Sequence, residues 1–236
     1  MNDIVYFCKD VAENEEFVYS VRSAVANFPH RKIWVYGGCP KNMDFGDTYC
    51  EVNQSGLTKW DKVRAMFRLA ALNNDITEDF YLFNDDFYIM QPLEEMPVLY
   101  RGPLSEHILD IEGNRHDNPS DYTKQLRKVY RELKSVADPV LSYELHVPFL
   151  FNRKKLLEII KTYPQLRVTR TMYGNLYKIG GDRMQDVKFY GSGLTSSKVV
   201  NKSRFFSTDD LAWRNDTMLV KHRIKKAFPD KSPYEL

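Results

Sequence analysis

The sequence predicts an α/β domain built on a mostly parallel sheet flanked by helices, followed by a more irregular C-terminal part. Short apolar runs alternate with segments of helical spacing through the first half of the chain, and turn-forming residues fall between them. A strand–helix–strand order of this kind implies parallel strands covered by helices. The 236 residues are 43% hydrophobic and 14% aromatic, enough for one domain with a core of ordinary size.

Ile4–Cys8 is an apolar run suited to a buried strand. Glu15–Phe28 carries Phe17, Val18, Val21, Ala24 and Val25 at helical spacing, with Glu15 and Glu16 in the first turn where the macrodipole favours acids. Pro29 ends it. Lys32–Tyr36 is the second strand, Gly37-Gly38-Cys39-Pro40 a turn, and Tyr49–Val52 a short third strand. Thr58–Asn73 is a helix whose apolar face runs through Val63, Met66, Phe67, Leu69, Ala70 and Leu72. Phe80–Asn84 is the next strand, and Asp85-Asp86 follow it.

Beyond this point the pattern loosens. Leu93–Leu104 bears prolines and is expected over a sheet edge; Glu106–Ser120 reads as a long polar loop. Asp121–Ala137 is a basic helix with Lys124, Arg127, Lys128, Arg131 and Lys134. The stretch Ser142–Phe151 precedes a helix at Lys154–Tyr163. After Pro164 a mixed segment contains Gly174, Gly180, Gly181, Gly191 and Gly193, and Met218–Phe228 is a basic helix. No repeat or linker stands out, so a single domain over 1–236 is expected.

Composition narrows the function classes. With 34 basic and 32 acidic residues, no global field draws the chain to DNA or membrane. Cys8, Cys39 and Cys50 are an odd number without CxxC spacing, which argues against a disulfide framework and a zinc site. The start Met1-Asn2-Asp3-Ile4-Val5-Tyr6 lacks the basic and long apolar regions of a signal peptide, and no run approaches a membrane span. A soluble, cytoplasmic protein is the expectation. GxxxxGK[ST], GxGxxG after the first strand and GxSxG are all absent, so a bound nucleotide must be held by side chains and metal.

The chemistry-bearing candidates are few. A hydrophobic strand delivering Asp85 and Asp86 to its C-terminal edge is how an open α/β sheet presents a divalent ion, and paired carboxylates suit Mg²⁺ or Mn²⁺. The same pair would also serve as a turn or helix cap. Glu144 and His146, two apart on an extended segment, share a face and could supply a base and a metal ligand. Lys59, Lys62 and Arg64 at a helix start are either phosphate contacts or a solvated face. The last candidate is Phe205-Phe206-Ser207-Thr208-Asp209-Asp210, where Ser207 or Thr208 reads by default as the cap of a helix over Asp209–Trp213.

Four stretches in order carry a resemblance: Phe17-Val18-Tyr19-Ser20-Val21-Arg22-Ser23, Lys32-Ile33-Trp34-Val35-Tyr36-Gly37, Ile76–Asp86 ending in Asn84-Asp85-Asp86, and His146-Val147-Pro148. The set resembles the Stealth-type sugar-phosphate transferases of capsule synthesis, with their "YSLRS"-like helix, "FxxxNDD" strand end and later "HxP". It is more similar still to small phage-associated nucleotide-diphospho-sugar transferases, and the resemblance spans roughly residues 3–190. It implies a GT-A-like, Rossmann-type sheet with a nucleotide-sugar half at 1–104 and an acceptor half at 105–236. Asp85 and Asp86 would hold Mn²⁺ or Mg²⁺ against the donor diphosphate, with UDP-sugar favoured, and His146 would be a further metal ligand or a diphosphate contact. Lys59, Lys62 and Arg64 would meet phosphates. Arg22 would anchor the nucleotide side or pair with a carboxylate. For an inverting mechanism Glu144, Asp182 and Asp186 are the candidate bases for an acceptor hydroxyl, Glu144 and Asp182 foremost; a retaining mechanism would need no such base.

The expected activity is therefore metal-dependent glycosyl transfer to a surface glycan or to a hydroxymethylated base of phage DNA, in the host cytoplasm if phage-encoded. One alternative is sugar-1-phosphate transfer of the Stealth type. Another is a non-catalytic nucleic-acid-binding protein using the basic helices, with the acidic pair structural.

Overall fold

A computed structural model describes residues 1–113, 119–191, 203–215 and 220–236. Gly193 and Met218, which the sequence assigned to the irregular segment and the last helix, lie outside these residues. The chain forms two compact units: Met1–Met96, His146–Arg153 and Val187–Leu236 make one, and Pro97–Leu145 with Lys154–Asp186 make the other.

The first unit holds the expected sheet. Its elements are β1 (Asp3–Cys8), α1 (Glu15–Asn27), β2 (Ile33–Gly37), β3 (Tyr49–Glu51), α2 (Lys59–Leu72), β4 (Asp79–Asn84) and β5 (Phe87–Ile89). With β9 (Phe149–Asn152) they form a five-stranded sheet of order β3-β2-β1-β4-β9. The first four strands are parallel and β9 runs antiparallel on the far side of β4. All six residues of β1 and all five of β2 are buried. Continuous apolar runs of this kind mark central parallel strands covered on both faces. Both helices are capped as their sequences direct: the Asn14 side chain accepts from the Phe17 N–H, and the Thr58 hydroxyl from the Asp61 N–H.

Later segments complete this unit. β11 (Lys188–Phe189) and β12 (Phe205–Thr208) join β5 in a second sheet of order β11-β12-β5. The helices α7 (Asp210–Arg214) and α8 (Val220–Ala227) follow. Tyr88, Phe206, Trp213, Val220, Ile224 and Phe228 form one apolar cluster there. Ser207 and Thr208 are strand residues, and the cap of α7 is Asp209, whose carboxylate accepts from the Ala212 N–H at 2.7 Å.

The second unit is mostly helical: α3 (Leu104–Glu112), α4 (Asp121–Leu133), most of α5 (Arg153–Thr162) and α6 (Thr169–Leu176). Its short strands are β6 (Leu99–Tyr100), β7 (Gly102–Pro103), β8 (Leu141–Ser142) and β10 (Asp182–Arg183), paired as β10-β6 and β7-β8. The long loop expected at Glu106–Ser120 is helical as far as Glu112. Leu104 and Ile108 anchor that helix, and two of its polar residues are buried with partners: His107 Nδ1 meets Ser142 Oγ at 2.7 Å, and Glu112 pairs with Arg127 at 2.6 Å. Helix α6 was also unmarked in the sequence because Gly174 sits inside it. A Cβ at Gly174 would come within 2.3 Å of the Tyr143 ring, so the helix can approach that ring only through a glycine. No helix among the described residues is long and apolar enough to cross a membrane.

Candidate active site

Asp85 and Asp86 form the turn between β4 and β5, at the C-terminal end of a central parallel strand. Ligands of open α/β sheets bind outside these ends. The turn is held from behind by a polar stripe on α1. Glu16, Ser20, Ser23 and Asn27 recur every three or four residues, so they share one helix face. Ser20 Oγ donates to the Phe87 carbonyl, Ser23 Oγ accepts from the Ile89 N–H at 3.1 Å, and Asn27 donates to the Ile89 carbonyl at 2.7 Å. These side chains satisfy backbone groups of β5 that no strand among the described residues pairs on that side, while β12 pairs the other. The "YSLRS"-like stretch thus has a physical reason: two of its serines grip the strand that follows the acidic turn.

The carboxylates differ in their partners. Asp85 accepts from Asn14 Nδ2 at 2.7 Å and from the Lys9 backbone N–H. Asn14 therefore caps α1 with its oxygen and holds Asp85 with its nitrogen. Asp86 Oδ2 accepts from Lys188 Nζ at 2.6 Å and Ser207 Oγ at 3.2 Å, while its Oδ1 is buried without a hydrogen-bond partner among the described residues. Glu16 accepts from Thr208 Oγ1 at 2.6 Å and lies 3.7 Å from Lys9 Nζ, which also bonds Asp210 at 2.6 Å. Burial, then the negative charge of Asp86, pushes the Asp85 carboxyl up to about 6. Burial pushes Glu16 up to about 7 despite the Thr208 hydroxyl and the Lys9 ammonium. For Lys188, burial pulls downward but the Asp86 carboxylate outweighs it, and the ammonium is held above its usual range.

These groups meet at a cavity of about 330 Å³ lined by Lys9, Asp85, Asp86, Lys188, Thr208, Asp209, Asp210 and Leu211. Its donor set is hard oxygen, and the orphaned Asp86 Oδ1 is an acceptor still lacking a positive partner. Both fit Mg²⁺ or Mn²⁺. Among the described residues no three His, Cys, Asp or Glu side chains gather into a metal-holding group. The protein thus offers a carboxylate pair, the number by which Mg²⁺ is usually held when phosphates and water complete its shell.

The remaining sequence candidates are distributed as follows. His146 belongs to the same unit, and its ring meets the Phe87 ring edge-on at 6.3 Å. Arg22 takes the second of its two expected roles. Its guanidinium bonds both oxygens of Glu235 at 2.8 and 2.6 Å and the Phe228 and Pro229 carbonyls, so it fastens the C-terminal segment to α1. Lys59, Lys62 and Arg64 lie in the first turns of α2 and are not among the cavity-lining residues.

In the second unit, Glu144 Oε1 accepts from both the N–H and the hydroxyl of Thr171, near the N-terminus of α6. Asp182 is exposed on β10, directly after Gly180 and Gly181, whose φ of 67° and 111° only glycine adopts without strain. Asp186 lies 3.7 Å from Arg101. Sequence reasoning missed Lys9, Asn14, Glu16 and Lys188, whereas Asp210 lies in the last candidate stretch, Phe205–Asp210. The one local signal was Asn14 ahead of Glu15-Glu16, an N-cap pattern, but nothing local tied it to Asp85.

No family model matches the chain, and no curated protein matches it. Solved structures do. The chain is similar to the galactosyltransferase LgtC in complex with donor and acceptor sugar analogs, at 14% identity and a TM-score of 0.51, over 98% of this chain and 96% of that one. It is also similar to an active-site mutant of LgtC at 14% identity and a TM-score of 0.50, over 95% and 94% of the two chains. At this identity the likeness concerns the fold: a mixed α/β architecture of the GT-A type, with a mostly parallel central sheet flanked by helices.

Proposed function

We propose that this chain is a metal-dependent glycosyltransferase that takes a nucleotide sugar, a UDP-sugar first among them, and passes the sugar to an acceptor hydroxyl. The observation that carries this reading is the Asp85-Asp86 turn at the C-terminal end of β4, opening on a cavity that also holds Lys9 and Lys188. Support comes from the GT-A-type fold, in which LgtC binds donor and acceptor sugar analogs.

Asp85 and Asp86 would hold Mn²⁺ or Mg²⁺, which when bound supplies positive charge against the diphosphate as it leaves. His146, packed beside Phe87, is the third residue to test as a ligand. Lys9 and Lys188, which line the cavity, would meet phosphate oxygens, beside the Lys59, Lys62 and Arg64 that the resemblance implies. Asn14, Ser207 and Thr208 hold the carboxylates in place, which keeps the charges preorganised. Glu144 and Asp182 are the residues to test as the base that takes the acceptor proton. The acceptors to try first follow from the resemblance to phage-associated and Stealth-type enzymes: hydroxymethylated DNA and a surface glycan.

The test is nucleotide release from a panel of UDP-, GDP-, CDP- and ADP-sugars with Mn²⁺, Mg²⁺ or EDTA, comparing wild type with Asp86→Ala. Diphosphate release from one donor, requiring the ion and lost in the variant, is the expected result. Monophosphate release would replace glycosyl transfer by sugar-phosphate transfer. No turnover and no donor binding with any ion would overturn the donor-site reading.

A further inference from the structure

Each lysine lining the cavity is already bonded to a carboxylate lining the same cavity. Lys188 Nζ lies 2.6 Å from Asp86 Oδ2, and Lys9 Nζ lies 2.6 Å from Asp210 Oδ1. The two pairs differ in setting. The Lys188 and Asp86 side chains are each 15% exposed, against 39% and 58% for Lys9 and Asp210. Solvent screens the outer pair and leaves the inner one strong. Asp86 is thus a carboxylate with a cation on one oxygen, while its other oxygen, Oδ1, is buried without a hydrogen-bond partner among the described residues.

A divalent ion joining Asp86 by itself would add positive charge to a group Lys188 has already neutralised, in a setting where like charges repel strongly. A nucleoside diphosphate changes the balance. It brings the negative charge that a second cation needs, and its oxygens give the ammonium a bond in exchange for the carboxylate. An anion that favours both cations makes each ligand tighten the other.

We infer that Lys188 is the resident counter-cation of Asp86: it opposes binding of a divalent ion alone and couples the ion to the nucleoside diphosphate by passing from the carboxylate to a phosphate oxygen. The inference rests on the donor-site reading and adds to it an order of binding. Lys188 is a positioning residue for the ion and a direct contact for the phosphate. Ser207, which bonds the same Oδ2, would keep Asp86 in its rotamer during the exchange.

The test uses the full chain and Mn²⁺ titrated with and without UDP, the free ion followed by its electron paramagnetic resonance signal. Wild type, Lys188→Met, Lys188→Gln and Lys188→Arg are compared. The glutamine variant keeps a hydrogen-bond donor to Asp86 and removes only the charge, so it carries the test if the methionine variant does not fold. In wild type, UDP is expected to tighten Mn²⁺ by roughly 100-fold, toward the upper end of ordinary couplings. Loss of the charge is expected to tighten Mn²⁺ alone several-fold, weaken UDP, and bring the coupling close to one. Lys188→Arg, which keeps the charge, should retain it. Equal coupling in wild type and Lys188→Gln would overturn the inference while leaving the donor site standing. Absence of both Mn²⁺ and UDP binding in wild type would overturn both.

Discussion

The carboxylates of the two units occupy different surroundings. In the first unit Asp85, Asp86 and Glu16 are crowded together, and two of them are pushed well up by burial, to about 6 and about 7. Lysines stand beside them. In the second unit Glu144 spends one oxygen on Thr171, and Asp182 stands exposed on a short strand. Residue type is the same in both; environment is what separates them. Perturbed carboxylates gathered at a cavity are what an ion-and-phosphate site requires.

The largest effect that would sharpen this contrast is loss of the acidic pair. Asp86→Ala is expected to cut donor turnover by roughly 10³-fold, of the order seen when a main electrostatic contributor is removed. Glu144→Gln should lower transfer to acceptor by about 10²-fold if it is the base and leave Mn²⁺–UDP affinity unchanged. A loss of that affinity in Glu144→Gln would break the division between the units.

Next in size are the residues that support the acidic turn. Asn14→Ala removes the cap of α1 and one bond to Asp85, and should cost about 1 kcal/mol of stability, together with weakened Mn²⁺ affinity. Ser23→Ala leaves the Ile89 N–H without a partner and should cost roughly 1–3 kcal/mol in chemical denaturation.

The pH dependence is a finer test. Asp85 and Glu16 have folded values near 6 and 7, above their ordinary values of 3.8 and 4.5. The folded state therefore keeps protons that the unfolded chain has released. Their contribution to stability is fullest at low pH and declines as pH rises through the folded values. Glu16→Gln should accordingly raise the melting temperature relative to wild type more at pH 8 than at pH 5, in EDTA. An equal shift at both would mean that Glu16 is not titrating in that range. The smallest effect expected is that of Lys59→Ala with Lys62→Ala, since neither residue lines the cavity.

The same contrast explains what the sequence could show. β1, β2 and β4 were legible because central parallel strands must be continuous apolar runs, and the Asp85-Asp86 turn was legible because it interrupts one. Asn14 stands just ahead of α1, and nothing local marks it as a partner of Asp85, 71 residues away. Lys188 and Ser207 reach Asp86 across 102 and 121 residues, and the pairing depends on β12 lying against β5. Glu16 looked like a surface acid favoured by the macrodipole; its burial follows from sharing a face with Ser20 and Ser23, whose polarity disguised the buried side of α1. In the second unit the reading failed where polar residues are buried in pairs, as in α3, and where a glycine serves close packing, as in α6.

The central claim is that Asp85 and Asp86 hold an ion that in turn holds a nucleoside diphosphate. Calorimetric binding of UDP to wild type and Asp86→Asn, in Mn²⁺ and in EDTA, tests it most directly. The account predicts UDP binding to wild type that requires Mn²⁺ and is weakened at least 100-fold, about 2.7 kcal/mol, in the variant. UDP binding indifferent to both the ion and the substitution would contradict it.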